Sequence, residues 1–188
     1  LADYARRRIA LEDYYQAKAI DKMDDIRTLA DPTSAIVRSG INGAGRKIDD
    51  LIIAAANGTA YTGKVGGTST TLPAGQIVVA GGTGLTLAKW LSALEILNGN
   101  DVDPSDEKFL IIGSQQLTNL LNTTQITSSD YASVKALVQG QVNSFLGCTV
   151  IRSERLTKVS TTRQVLMYCK SGIGLASGRD VTSRIDEL

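Results

Sequence analysis

The stretch TLAKWLSALEILNGNDVDPSDEKFLII, residues 86–112, decides the fold, because its hydrophobic period changes partway along. Leu87, Trp90, Leu91, Leu94 and Leu97 are spaced by three and four, Thr86 precedes them as a helix cap, and Asn98-Gly99 closes the run. This predicts a helix with one apolar stripe. The acidic linker Asp101–Glu107 follows, and then Lys108–Ile112, a short apolar run that predicts a strand. Toward the C-terminus, a short helix through Gln116–Leu121 and another over Tyr131–Val138 are expected. Strands are expected at Cys148–Arg152 and Gln164–Cys169, separated by polar Ser153–Arg163. Toward the N-terminus, Gln76–Ala80 reads as a short strand, Gly81-Gly82-Thr83-Gly84 as a turn, and the Gly/Thr-rich residues 58–75 as a long loop or ribbon. Val37, Ile41, Ala44, Ile48, Leu51 or Ile52, and Ala55 lay a stripe along roughly five helical turns, with Asp31-Pro32 at the start and Gly58 at the end. Before it, Ile9, Tyr14, Ala17, Ile20, Met23, Ile26 and Ala30 predict a long amphipathic helix from Asp3 to about Ala30. Helices early and mixed short elements later give an α+β class.

At 188 residues the chain is long enough to bury a core without staples. Its 20 Lys and Arg against 19 Asp and Glu leave a net charge of +1, which disfavours holding nucleic acid or an anionic membrane by bulk charge. The absence of His removes the commonest general base and the commonest metal ligand. Cys148 and Cys169 sit in apolar runs and read as buried free thiols, too few for a disulfide scaffold or a four-thiolate zinc site. The longest nearly uncharged apolar run, Leu51–Ala56, is far below the ~20 residues that span a bilayer. The chain starts Leu-Ala-Asp-Tyr without Met or a signal core, and is expected to be a piece of a longer polypeptide.

Gly58 to Lys64 fits the GxxxxGK phosphate-loop pattern, but Val65 stands where Ser or Thr would hold magnesium, and no helix is expected after it. Asp101, Asp103 and Ser105 imitate the opening of a calcium loop, yet Asp106 and Ile112 occupy its required Gly and Glu. Asp24-Asp25 and Asp49-Asp50 are adjacent on helices and point ~100° apart, so they read as solvated faces or intersubunit ion pairs. Arg6-Arg7-Arg8 is the one dense basic cluster: either a solvated helical face offset by Asp3, Glu12 and Asp13, or a partner contact. The terminal Ile185–Leu188 imitates a retention signal, and Asn57-Gly-Thr59 and Asn122-Thr-Thr124 imitate sequons, all without a secretory segment. No catalytic constellation emerges, and no cofactor or metal is expected.

Several phrases resemble the major capsid proteins of tailed bacteriophages. They are Asp-Pro-Thr-Ser at 31–34, GRKIDDLIIAAANGTAYTG at 45–63, Leu-Thr-Leu-Ala-Lys at 85–89 and Asn-Asp-Val-Asp at 100–103. TSSDYASVKALVQG at 127–140, Phe-Leu-Gly at 145–147 and RDVTSRI at 179–185 continue them in order. The resemblance implies an α+β Hong Kong 97-type capsid fold, with a long spine helix, a peripheral domain and a mixed α/β axial domain. The expected division is residues 1–105 mainly peripheral with the spine and the 58–75 loop, 106–176 mainly axial, and 177–188 the start of the return to the peripheral domain. The N-terminal arm, the extended loop and the last strand of that family are not recognised in this sequence.

The implied function is structural: hexamers and pentamers of one chain build an icosahedral shell around phage double-stranded DNA, assembled in the bacterial host cytoplasm and retained in the virion. Implied partners are other copies, portal and scaffolding proteins, and DNA bound without sequence specificity, with no membrane. Arg6, Arg7, Arg8 and Lys64 are the candidate subunit contacts, together with the 58–75 ribbon. Two alternatives stay open: a nanocompartment or gene-transfer-particle shell of the same fold and, more remotely, a nucleotide-binding enzyme using Lys64 and the 58–65 loop.

Overall fold

A computed structural model describes residues 6–19, 32–122 and 144–182. In chain order these form β1 (Arg7–Arg8), α1 (Pro32–Asn57), β2 (Ala60–Thr62), β3 (Thr68–Thr70), α2 (Leu87–Asn98), β4 (Lys108–Ile112), α3 (Ser114–Leu121), β5 (Ser144–Phe145), β6 (Cys148–Arg152), β7 (Lys158–Val159), β8 (Thr162–Arg163) and β9 (Leu166–Cys169). Two short 3-10 turns stand at Ala74–Gln76 and Lys170–Gly172. The class is α+β, as expected. The expected helix at Tyr131–Val138, Asp24-Asp25 and the terminal Ile185–Leu188 lie outside the described residues.

The core sits where α2 crosses a four-stranded mixed sheet of order β5-β6-β4-β9. β4 runs parallel to β6 and antiparallel to β9, with Leu110 opposite both Val150 and Met167. Lying between two strands, β4 is apolar on both faces, which is why Phe109–Ile112 reads as a continuous apolar run rather than an alternating one. Trp90 of α2, 2% exposed, packs into the cluster of Leu110, Ile112, Leu120 and Cys148. Its ring meets Phe145 edge-on at 5.3 Å between centroids, a favoured aromatic geometry. The helix itself begins as the sequence predicts, with Thr86 accepting from the Lys89 amide. Lys89 reaches back over the preceding turn, and its ammonium donates to the carbonyls of Ala80, Thr83 and Gly84 and to the Thr83 hydroxyl.

Cys148 and Cys169 are free and buried, as expected. Both stand opposite Lys108, on either side of β4, so they are two strand spacings apart, about 9–10 Å, beyond disulfide reach. Burial pushes both thiols up, which keeps them protonated and unreactive.

Two sequence expectations fail where they can be followed. The helix expected from Asp3 to about Ala30 is not formed over residues 6–19, where Arg7–Arg8 form a strand and residues 9–19 run irregularly and exposed; the rest of that expected helix lies outside the described residues. The three-and-four spacing of their apolar residues has no core to face, and the hairpin β2–β3 takes up the backbone hydrogen bonding at Arg7–Arg8 that a helix would otherwise satisfy. Gln76–Ala80 is not a strand either. Ile77 and Val79 are 54% and 76% exposed, and among the described residues no neighbouring strand completes a ladder there.

α1 spans the predicted helix and stops at Gly58, where a Cβ would stand 2.8 Å from the Ala54 carbonyl oxygen. Its C-terminal end is tied to the loop after β6. Arg155 grips the Asp50 carboxylate with two nitrogens, and Asn57 donates to the Thr157 hydroxyl at 3.4 Å. Asp50 is therefore an intrachain anchor, which corrects the reading of Asp49-Asp50 as a wholly solvated or intersubunit pair. The Arg155 guanidinium, by hydrogen bonding, holds the Asp50 carboxyl below the usual carboxylate range. A lowered folded pKa contributes stability above the unfolded value of about 3.9 and loses it as pH falls through the folded value. Asp50→Asn is expected to lower the melting temperature at pH 7, and the gap to the parent chain should begin to narrow as pH falls below about 4. Thermal melts from pH 7 down to 3 test this, and a gap of constant size across that range would refute it.

Candidate subunit-contact surface

β1, β2 and β3 form a second sheet, separate from the core sheet, in the order β1-β2-β3 with antiparallel pairing throughout. Arg7 faces Thr62 and Arg8 faces Tyr61, while Tyr61 faces Ser69 across the other edge of β2. The Gly63 amide donates to the Arg6 carbonyl at 2.9 Å, which lengthens the β1–β2 ladder by one residue. The Thr62 hydroxyl donates to the Thr68 carbonyl at 3.2 Å, and Lys64 stands exposed in the loop between β2 and β3.

The four candidate contact residues, distant in sequence, therefore converge on one small sheet. Arg6, Arg7 and Lys64 extend from it into solvent. Arg8 has a second role: its Nη1 donates to the Val65 carbonyl at 3.0 Å and its aliphatic stem crosses Gly66. Gly66 has φ +71°, and a Cβ there would meet the Arg8 Cδ at 2.8 Å, so only glycine fits beneath this stem. Arg8 thus pins the hairpin loop to β1 while leaving its charge at the surface.

The reading of Arg6–Arg8 as a helical face offset by Glu12 and Asp13 is corrected by this geometry. Without a helix, those carboxylates are not one turn away, and Glu12 accepts instead from the Tyr14 hydroxyl. Among the described residues the ion pairs are Arg155–Asp50, Arg163–Glu154 and Lys170–Glu107, and none includes Arg6, Arg7, Arg8 or Lys64. Residues 58–88 contain a single charged side chain, Lys64, so nothing in the hairpin offsets the cluster. No residue of β1, β2 or β3 is buried, and Tyr61, on the central strand, is 51% exposed. A three-stranded sheet of such short strands is marginal by itself.

The same geometry removes the phosphate-loop resemblance. Lys64 is followed by β3, a strand, so no helix N-terminus presents amides where a bound phosphate would lie. The calcium-loop resemblance fails through local bonding. Asp103 accepts from the Ser105 amide and hydroxyl at 2.8 and 2.7 Å, Asp106 accepts from the Ser171 hydroxyl, and Glu107 pairs with Lys170 at 2.9 Å. These hydrogen bonds, from Ser105 first of all, hold the Asp103 carboxyl below the usual range. Among the described residues no group of His, Cys, Asp or Glu is placed to hold a metal ion, and no helix is long and apolar enough to cross a membrane. The Asn57 amide of the first sequon is engaged with the Ile53 carbonyl and Thr157.

Sequence reading offered the 58–75 ribbon as a contact candidate but did not resolve the strands Ala60–Thr62 and Thr68–Thr70 within it or single out Tyr61. β2 reads Ala-Tyr-Thr and β3 Thr-Ser-Thr, without an apolar and polar alternation, so the period-two signal is weak. The only hint is the density of Thr over 68–71, a residue that favours strands.

No curated protein and no solved structure matches the chain. A family model described as phage capsid protein matches residues 2–188, nearly the whole length. With that match over nearly its whole length, the chain belongs to the phage capsid protein family, as a structural protein of the virion.

Proposed function

We propose that this chain is a major capsid protein of the Hong Kong 97 type, which self-assembles as hexamers and pentamers into an icosahedral shell around phage double-stranded DNA. The observation that carries the reading is the family match over residues 2–188. The exposed sheet β1-β2-β3 gives it a physical basis, since its marginal strands gain support when a neighbouring copy covers them. Repeated head-to-tail contacts of one chain close into rings, and many weak contacts acting together stabilise a large particle. A net charge of +1 suits dense repetition of the same subunit, because strong like charge would oppose it.

In this reading residues 1–105 form most of the peripheral domain and supply the spine, 106–176 form most of the axial domain, and 177–188 begin the return. The partners are other copies, with portal and scaffolding proteins during assembly in the host cytoplasm. Negative-stain electron microscopy with light-scattering mass on the full-length chain tests the proposal. Uniform closed shells, or free hexamers and pentamers, are the expected result. A chain that stays monomeric at every salt and protein concentration would overturn it.

A further inference from the structure

A heterologous contact between identical chains needs two complementary patches on each copy. The first is the basic sheet, where Arg6, Arg7, Arg8 and Lys64 together exceed the chain's net charge of +1, so the remainder of the molecule is net acidic. The second is an open groove of about 500 Å³ lined by Asp103, Ser105, Asp106, Glu107, Lys170 and Ser171. Residues 101–107 hold Asp101, Asp103, Asp106 and Glu107 and no basic side chain. Of these four, Glu107 has its charge offset, by Lys170. Asp103 and Asp106 each accept from a hydroxyl and a backbone amide, which orient the carboxylates without neutralising them. The groove is held rigid by the start of β4 and the end of β9, since the Lys170 amide donates to the Glu107 carbonyl at 2.9 Å. A carboxylate pair already oriented loses little entropy when a guanidinium or ammonium arrives.

We propose that the basic sheet of one copy docks on the acidic groove at 103–107 of the neighbouring copy, with Arg6, Arg7 and Lys64 meeting Asp103 and Asp106. This rests on the shell-forming reading above. The alternative occupant of the sheet, packaged DNA, is less well matched: three or four cations on a small patch give weak, strongly salt-dependent phosphate binding. Surface charges beyond a Debye length of about 8 Å are screened, so the attraction acts only between patches in contact. It therefore sets the register of neighbouring copies more than their overall affinity.

The test uses the full-length chain and its charge-reversed variants, read by electron microscopy, light-scattering mass and the ratio of absorbance at nucleic-acid and protein wavelengths. Arg6→Glu, Arg7→Glu and Lys64→Glu together are expected to cut shell yield about tenfold or more, with Arg8 kept because it pins the hairpin loop. Asp103→Lys with Asp106→Lys should do the same. The chain carrying all five changes should recover shells to within about twofold of the parent, a result that misfolding of either variant cannot produce. Normal shells from either reversed variant would overturn the contact, and so would failure of the combined variant to recover. Normal shells with lost nucleic acid in the Arg6, Arg7 and Lys64 variant would assign the sheet to DNA instead. If the parent chain itself forms no shells, the shell-forming reading fails rather than this pairing alone.

Discussion

Replacing Trp90, the largest of the fully buried side chains among the described residues, by alanine is expected to cost the unassembled chain about 3–5 kcal/mol. Trp90 is 2% exposed and touches the sheet at its centre, where Leu110, Ile112, Leu120 and Cys148 close around it. Phe145 from the edge strand leans on the same ring, so removing the indole opens a cavity bordered by three strands, β4, β5 and β6. Partial collapse can recover some of the loss, but the strands are fixed in register by β4 and cannot all move inward. For a domain of this size the loss corresponds to a fall in melting temperature of about 6–20 °C. Trp90→Phe should be far milder, within about 1.5 kcal/mol, for a specific reason. The buried indole N–H makes no well-formed hydrogen bond among the described residues and has only the weakly accepting Cys148 sulfur beside it, so phenylalanine keeps most of the apolar contact at little polar cost. Urea melts of the unassembled variants decide the point. A loss below about 1 kcal/mol for Trp90→Ala would place the core elsewhere.

The parts of the fold visible in the sequence are those whose signals are local. Helix α2 has its cap, its stripe and its stop inside residues 86–99; the cap and the stop form as expected, and of the stripe Leu87, Trp90, Leu94 and Leu97 are buried or half-buried while Leu91 is 47% exposed. β4 and β6 begin and end where the apolar runs at 108–112 and 148–152 do, since burial on a packed sheet selects the same residues that define the run. What could not be read depends on partners far away in the chain. Nothing near Asp50 announces that Arg155 will hold it, because the two meet only after α1 and β6 are both in place. Arg6–Arg8 and Lys64 share a sheet for the same kind of reason: pairing of β1 with β2 is a tertiary event, and the three-and-four spacing from Tyr14 to Ala30 argued for a helix instead. The candidate residues were thus legible as charges, while the surface that unites them was not. The hairpin strands escaped because Ala60–Thr62 and Thr68–Thr70 bury nothing, and hydrophobic periodicity reports only on faces that are buried.

That separation between a buried core and an unburied sheet leads to the second large effect, expected from Tyr61→Pro. Tyr61 is the middle residue of the central strand and is paired on both sides, with Arg8 and with Ser69. Proline there removes a ladder donor and fixes φ away from the strand value, which a central strand does not tolerate. The sheet β1-β2-β3 should open, yet it contributes no residue to the buried cluster around Trp90. Opening it is a local event, so the urea melt of the unassembled chain should shift by no more than about 1 kcal/mol. Shell formation should be lost outright, because the surface proposed to meet the next copy no longer exists in its assembled shape, and multivalency multiplies a defect repeated in every subunit. Tyr61→Thr, which suits a strand equally well, should still assemble and so separates loss of strand geometry from loss of the ring. Normal shells from Tyr61→Pro would show that the sheet is not the contact surface. A Tyr61→Pro chain whose melt falls by several kcal/mol would show that the sheet and the core unfold as one unit.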